Sequence, residues 1–484
     1  ESNGNVGIGS YVMDSALDGA LYNTAVGAYA LSAVTQADNV VAIGNSAAYS
    51  LTTASNNVAI GTNAMKVHTT GERNIAIGTN AMDDTDAGST SLGSADNIFI
   101  GNNSGGGTWA NVASIQNVVI GNNSADAALS GANYNVGMGT NVYGALTQGD
   151  ANSAFGHGSL TALTTGGSNV AVGNAAGATM TGTHYTVLIG SGAGTAINST
   201  DSNGTVAIGY QAAYGMTAST GNIYIGYQAG YDSAGVHRNN VLIGTYAGYN
   251  IGAGPDYTGE ASVMIGLDAG RYVTGSDNTF VGFYAGRGGQ TSAPFSSGVG
   301  NTAVGHSALQ NFTTGGGNVA IGEDAGAGIT TGGFNVAVGT NSVTGQNIGE
   351  YNVVVGADSL QQGSSTTTKN VVIGRAAGMY LKKQNSVAIG YQSAYYATGS
   401  YNTFVGYEAG KGGTTSAPYS SGEYNTAMGY LALDGFTTGG SNVAIGKSAG
   451  GAITTGDNNV AIGVDAFDAA TTVDSNTAVG YKAG

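Results

Sequence analysis

The chain has 484 residues, of which 86 are Gly, three are Pro, none is Cys and only 8 % are charged. The missing cysteines exclude disulfide staples and thiolate metal sites, and a 41 % hydrophobic content excludes a disordered chain. Twelve Lys and Arg stand against 28 Asp and Glu, a net charge of −16, which argues against a nucleic-acid partner because phosphate binding needs clustered cations.

The negative charge is spread thinly and reads as a solubilising feature of an otherwise neutral surface. No run of about 18 apolar residues occurs, so membrane insertion is not expected. The chain starts at Glu1 and not at Met, the mark of a processed or partial chain.

From the N-terminus onward one pattern repeats: Asn, three small or apolar residues, then Gly. It stands as NTAVG ending at Gly27, NVAIG at Gly61, NIAIG at Gly78 and NVAIG at Gly446. Twenty-seven such anchor glycines run from Gly9 to Gly480, most often 17 residues apart. That period is too short for a helical-pair repeat or a propeller blade. It fits one coil of an all-β parallel solenoid. No composition shift interrupts it, so residues 1–484 read as one continuous repeat region. Twenty-six intervals at about 4.8 Å per coil predict a rod roughly 125 Å long.

Each coil is expected to hold two short strands. The first is the NVAIG segment, β-branched and bounded by Asn and Gly. The second is weaker and ends in Thr-Thr-Gly, as at Leu163–Gly166, Phe312–Gly315 and Ile453–Gly456. The anchor Gly is expected where the chain turns with φ > 0 or has no room for a Cβ. The Asn four residues earlier, present in 22 of 27 coils, is suited to an Asx-turn or a ladder of side-chain amides. Ala or Ser follows three residues after the anchor in 25 of 27 coils, as a narrow corner requires.

Alternate strand residues face opposite sides. Val58 with Ile60, and Val443 with Ile445, are assigned to the coil core. The residue between them is then outward, yet it is never polar, so it is assigned to a face buried against other chains. Ala59, Phe99, Phe280, Ala320, Phe404 and Ala444 are the candidate inter-chain residues, and a homo-oligomer is the expected state.

Four intervals run to 22 or 23 residues, namely 78–101, 244–266, 282–305 and 406–429. Extra residues in a solenoid leave as loops, often on the binding face. Pro255, Pro294 and Pro418 fall in three of these intervals and stiffen them. Two of the loops are near copies offset by 124 residues, and residues 278–339 match 402–463 almost throughout. A cell-surface glycan or protein receptor is expected to contact Pro255, Tyr257, Pro294, Phe295, Pro418 and Tyr419.

The repeat resembles the head of trimeric autotransporter adhesins, and still more the repeats of bacteriophage tail fibres. NTFVGYEAG at 402–410, NTAMGY at 425–430 and NTAVGYKAG at 476–484 carry the likeness. It implies a left-handed parallel β-roll, three chains side by side, and an extracellular fibre shaft or surface adhesin that mediates attachment. Neither end carries an atypical capping coil, so an extracellular filament stacked end to end is a further expectation.

Catalytic and cofactor chemistry is not expected. The five histidines are scattered without an HxxxH pair. Asp83, Asp84 and Asp86 form a small acidic cluster that suits a solvated turn better than calcium. GYEAGK at 406–411 imitates a phosphate loop but is one residue short and has Gly after the Lys. No metal and no cofactor are assigned. Many of the 28 tyrosines lie near anchors, among them Tyr210, Tyr227, Tyr391, Tyr407 and Tyr430. They suit water-tolerant packing between coils or a stripe of platforms for sugar rings.

Overall fold

A computed structural model describes residues 3–85, 93–109, 112–232, 236–251, 260–289, 291, 295–345, 347–416, 419–469 and 471–484. The chain divides into two compact units, residues 1–240 and 241–484. Each is a parallel β-solenoid of coils about 17 residues long. In the first unit thirteen three-residue strands, from Val6–Ile8 to Ile223–Ile225, pair each with the strand one coil on. In the second, fourteen strands from Val241–Ile243 to Thr477–Val479 do the same. Registers never slip: Val443 sits on Val460, Ala444 on Ala461 and Ile445 on Ile462. Among the described residues there is no α-helix, only a 3₁₀ turn at Thr200–Ser202.

The anchor needs Gly for two reasons at once. Gly446 has φ +133°, a region that L side chains rarely adopt, and a Cβ there would lie 2.5 Å from the carbonyl oxygen of Gly463. The Asn forms a ladder along the axis. The Oδ1 of Asn425 accepts from the backbone N–H of Asn442 at 3.0 Å and from its Nδ2 at 3.1 Å. The same Nδ2 donates to the carbonyl of Gly456 at 2.8 Å. These amides are fully buried, and so their hydrogen bonds are required as well as stabilising.

The strand is turned over relative to the sequence assignment. Ala59, Phe99, Phe280, Ala320 and Ala444 are fully buried inside their own chain and Phe404 is 1 % exposed, so none of them is the outer face. The flanking Val58 and Ile60 are only partly buried, and Ile445 is 38 % exposed. The reason is the coil's width. The inward residue of each strand meets the corner residue four past the anchor, and the two share one slot. Where the inward residue is Phe, Tyr, Leu or Met (positions 99, 188, 224, 242, 264, 280 and 404), the residue six further on is Gly in every case. A Cβ on Gly105 would lie 2.7 Å from the Phe99 ring, and one on Gly248 2.7 Å from Leu242. Where the inward residue is Gly137 the slot is filled by Tyr143, which is fully buried and donates its hydroxyl to the Val136 carbonyl at 2.9 Å. Two outer β-branched residues per strand do not fit such a slot, whereas one inward residue with a corner partner of complementary size does.

The second wall is less regular than expected. Among the described residues only Ala218–Thr220 and Val236–Arg238 pair there as strands, helped by single bridges at Val273–Ser296 and Ala397–Ser420. In the Thr-Thr-Gly coils one carbonyl serves several donors. That of Thr454 accepts from Thr437 N at 2.8 Å, Gly439 N at 3.1 Å and Thr437 Oγ1 at 3.1 Å. The wall is a threonine ladder with turn-like backbone.

Candidate functional site

Two surfaces follow from this architecture. The first is the outer face of the strand ladder, built from the residues that flank the inward one. Ile43 is 39 % exposed and Ile321 42 %, and Val170, Val172, Val353, Ile373, Ile445 and Ile462 are similarly bare. Thr24, Thr279, Thr302, Thr403 and Thr426 occupy the first position of their strands on the same face. Two such residues per coil, each about one-third exposed, expose on the order of 1,000 Å² of apolar surface along either unit. Soluble monomers seldom leave more than a few hundred Å² contiguous. The sequence leads one to expect an unpartnered strand face at Ala59, Phe99 and their equivalents, but the unpartnered face is the opposite one, since those residues are buried. The alternation of inward size with corner size was the signal that distinguishes them.

The second surface is formed by the long coils. Pro255, Tyr257, Pro294 and Pro418 lie outside the described residues, as does Asp86. Phe295 and Tyr419 are described, and both are half-buried. Phe295 stacks on Tyr272 with centroids 6.3 Å apart and planes 15° apart. Tyr419 lies 4.4 Å from Tyr380 and stacks on Tyr396 at 6.0 Å and 12°. The two rings expected to anchor a receptor thus spend part of their surface on neighbouring coils. No single site brings Phe295 and Tyr419 together; each belongs to its own coil.

The anchor tyrosines form columns. Tyr391, Tyr407 and Tyr430 follow one another at 5.1 Å with planes 18° and 14° apart, and Tyr401 and Tyr424 are 4.9 Å apart and parallel within 1°. In such a stack each ring covers its neighbour's face and presents its edge to water. A sugar ring therefore finds a free face only at the end of a column. Trp109 is fully buried, edge-on to Phe99 at 5.5 Å, with Nε1 donating to the Gly105 carbonyl at 3.0 Å, and so is a packing residue.

Charge is less evenly spread than the total implies. Between Asp358 and Glu408 there is no acidic residue, while Lys369, Arg375, Lys382 and Lys383 fall within 15 positions. Lys383 pairs with Glu423 at 2.7 Å, which holds that carboxyl below its ordinary range. The opposite balance occurs at Asp83. Burial, with Asp84 and Asp126 nearby, pushes its carboxyl up to about 6. No group of three potential metal ligands occurs among the described residues, and no described helix is long and apolar enough to cross a membrane. No protein-family model matches the sequence, and no curated protein matches it either.

Proposed function

We propose that the chain is a non-catalytic structural segment of an extracellular fibre, a left-handed β-roll whose chains associate side by side as a homotrimer and carry attachment to a cell surface. The observation that supports this reading is the outer Val and Ile face. It repeats with the coil period, so a partner that covers it along its length must share that period. A second copy of this chain does so by construction. A flat, β-branched surface on the order of 1,000 Å² is also the size of a standard stable interface. The threefold number and the attachment role are what the resemblance of the repeat to phage tail fibres and adhesin heads implies. An adhesin head would use the same face in the same way. The long coils, with their stacked rings, are the surfaces on which copies of the fibre differ most from coil to coil.

Sedimentation equilibrium tests the association. The parent chain should sediment at three times its own mass. The triple variant Ile43→Lys, Ile321→Lys, Ile445→Lys should sediment as a single chain with an unchanged circular dichroism spectrum, because these side chains point outward and burying three ammonium groups in an interface costs several kcal/mol. A parent that sediments as one chain, or a lysine variant that keeps the parent's mass, overturns the proposal.

A further inference from the structure

The coils between Gly339 and Gly390 break the threonine ladder. Eight residues past the anchor, where Thr313, Thr330, Thr437 and Thr454 stand in regular coils, the chain has Asn347, Ser364 and Lys382. The apolar residue that should precede this position is replaced by Gly363. Its slot is taken by Ile348 of the coil before, whose Cδ1 a Cβ on Gly363 would overlap. Ile348 is fully buried. The corner is therefore drawn inward, and a recess of about 450 Å³ opens over it, lined by Thr344, Gln361, Gln362, Ser364 and Lys382 with the backbone of Gly345 and Gly363.

The lining is chemically one-sided. It has two amides and two hydroxyls but no aromatic ring. Gln361 Nε2 donates to Asp358 Oδ1 at 3.2 Å, which leaves its carbonyl oxygen toward other partners. Lys382 is exposed and its ammonium makes no ion pair among the described residues, whereas Lys383 beside it is paired with Glu423. Lys382 lies in the 49-residue stretch that carries four cations and no acid, in a chain of net charge −16. A polar recess of this volume suits a small hydrophilic ligand, and an unpaired ammonium among amides and hydroxyls suits one that bears a single negative charge.

We infer that this recess binds a carboxylate-bearing sugar residue, of the uronic or sialic type, within an otherwise neutral glycan. Lys382 meets the carboxylate, and Gln361, Gln362, Thr344 and Ser364 exchange hydrogen bonds with the hydroxyls. A chain charged at every unit is disfavoured, since the neighbouring recess over Thr331, Asn347, Ser365 and Thr368 contains Glu350. This deepens the attachment reading by naming a class of receptor, and rests on that reading only for where such a sugar is met.

The test is binding of the full chain to an array of acidic and neutral oligosaccharides, followed by titration with the best acidic one, its carboxyl-reduced form and inorganic phosphate. The acidic glycan should bind at least tenfold more tightly than the reduced form and than phosphate, and added salt should weaken it. Lys382→Gln should lose about tenfold, Lys382→Arg should stay within about threefold, and Gln362→Ala should lose affinity without a change in melting temperature. Retention of no acidic glycan, equal binding of the reduced form, equal binding of phosphate, or an unaffected Lys382→Gln overturns the inference. Sedimentation of the same samples reports on chain association separately, so one proposal can fail while the other stands.

Discussion

The two near-copies of the long coil, residues 278–339 and 402–463, share a core and differ outside it. Inside, Phe280 packs on Phe312 at 5.6 Å, and Phe404 on Phe436 at 5.5 Å. The hydroxyl of Ser296 donates to the Phe312 carbonyl at 2.9 Å, and that of Ser420 to Phe436 at 2.8 Å. Outside, the first copy meets the buried Asp268 of the coil before it, which Arg271 of that same coil approaches at 3.1 Å and the copy's own Arg287 at 3.7 Å. Both guanidinium groups also lie over tyrosine rings, Arg271 at 4.2 Å from Tyr246 and Arg287 at 4.9 Å from Tyr284. At the second copy those places are held by Gln392 and Tyr395 of the coil before it and by Lys411, and Lys411 pairs with Glu408 at 2.8 Å. The shared slot of a narrow coil leaves little freedom inward. The surface is free to acquire a new chemistry without disturbing the ladder.

The strongest way to break this comparison is to empty the core of both copies. Phe280→Ala and Phe404→Ala should each cost about 3–4 kcal/mol, the usual loss for a buried Phe, and the two losses should agree within about 1 kcal/mol. Adding Gly410→Leu to Phe404→Ala should recover a large part of that loss in thermal and denaturant melts. It recreates the Ala427 and Leu433 pairing of the coil that follows. A double variant no more stable than Phe404→Ala alone would sink the shared-slot account.

A smaller effect should separate the copies. Asp268→Asn leaves Arg271 and Arg287 close together without their common carboxylate and should cost about 1–3 kcal/mol. Gln392→Asn at the equivalent position should change the melting temperature hardly at all. Equal effects at the two sites would mean that the copies had not diverged in what their surfaces contribute.

The smallest expected difference lies in pH dependence. The second copy has Asp434 where the first has Gln310. Burial is the main reason that the Asp434 carboxyl sits above its ordinary value of 3.8, with Glu408 adding to it. A folded-state value above the unfolded one means that the protonated form stabilises the fold. That contribution is fully present below pH 3.8 and is lost as pH rises through the folded value. Asp434→Asn should therefore flatten the melting temperature between pH 4 and 7 by a degree or two, with the variant the more stable of the two at pH 7. A flat parent profile would remove Asp434 from this role.

Much of the fold was legible because each coil repeats the same problem. The anchor Gly recurs in all 27 coils, the Asn of the ladder in 22 and the small corner residue in 25. Strand polarity did not, since a period of two defines two faces but not which is inside. Hydrophobicity favours Val58 and Ile60 as the inward pair, yet the slot holds Ala59 with the corner residue Met65 and leaves the two β-branched residues on the outer face. The long-coil rings were read as exposed because a loop was expected to stand clear of the wall. Phe295 and Tyr419 instead fold back onto Tyr272, Tyr380 and Tyr396. The recess over Lys382 was missed for a different reason. Net charge averages over the chain, and a local excess of four cations disappears in a total of −16.

The direction of the backbone hydrogen bonds has a mechanical consequence. They run from each coil to the next, as from Val443 N to Asn459 O and from Gly446 N to Met428 O. Tension applied along the stack loads them end-on, a few at a time, and not in shear across the whole ladder. Coils therefore peel away singly, each paying out 17 residues, or about 60 Å of extended chain, for one layer of bonds broken. A surface held by such a segment would yield by stepwise lengthening, and each released coil would leave its neighbour's ladder intact to carry the load.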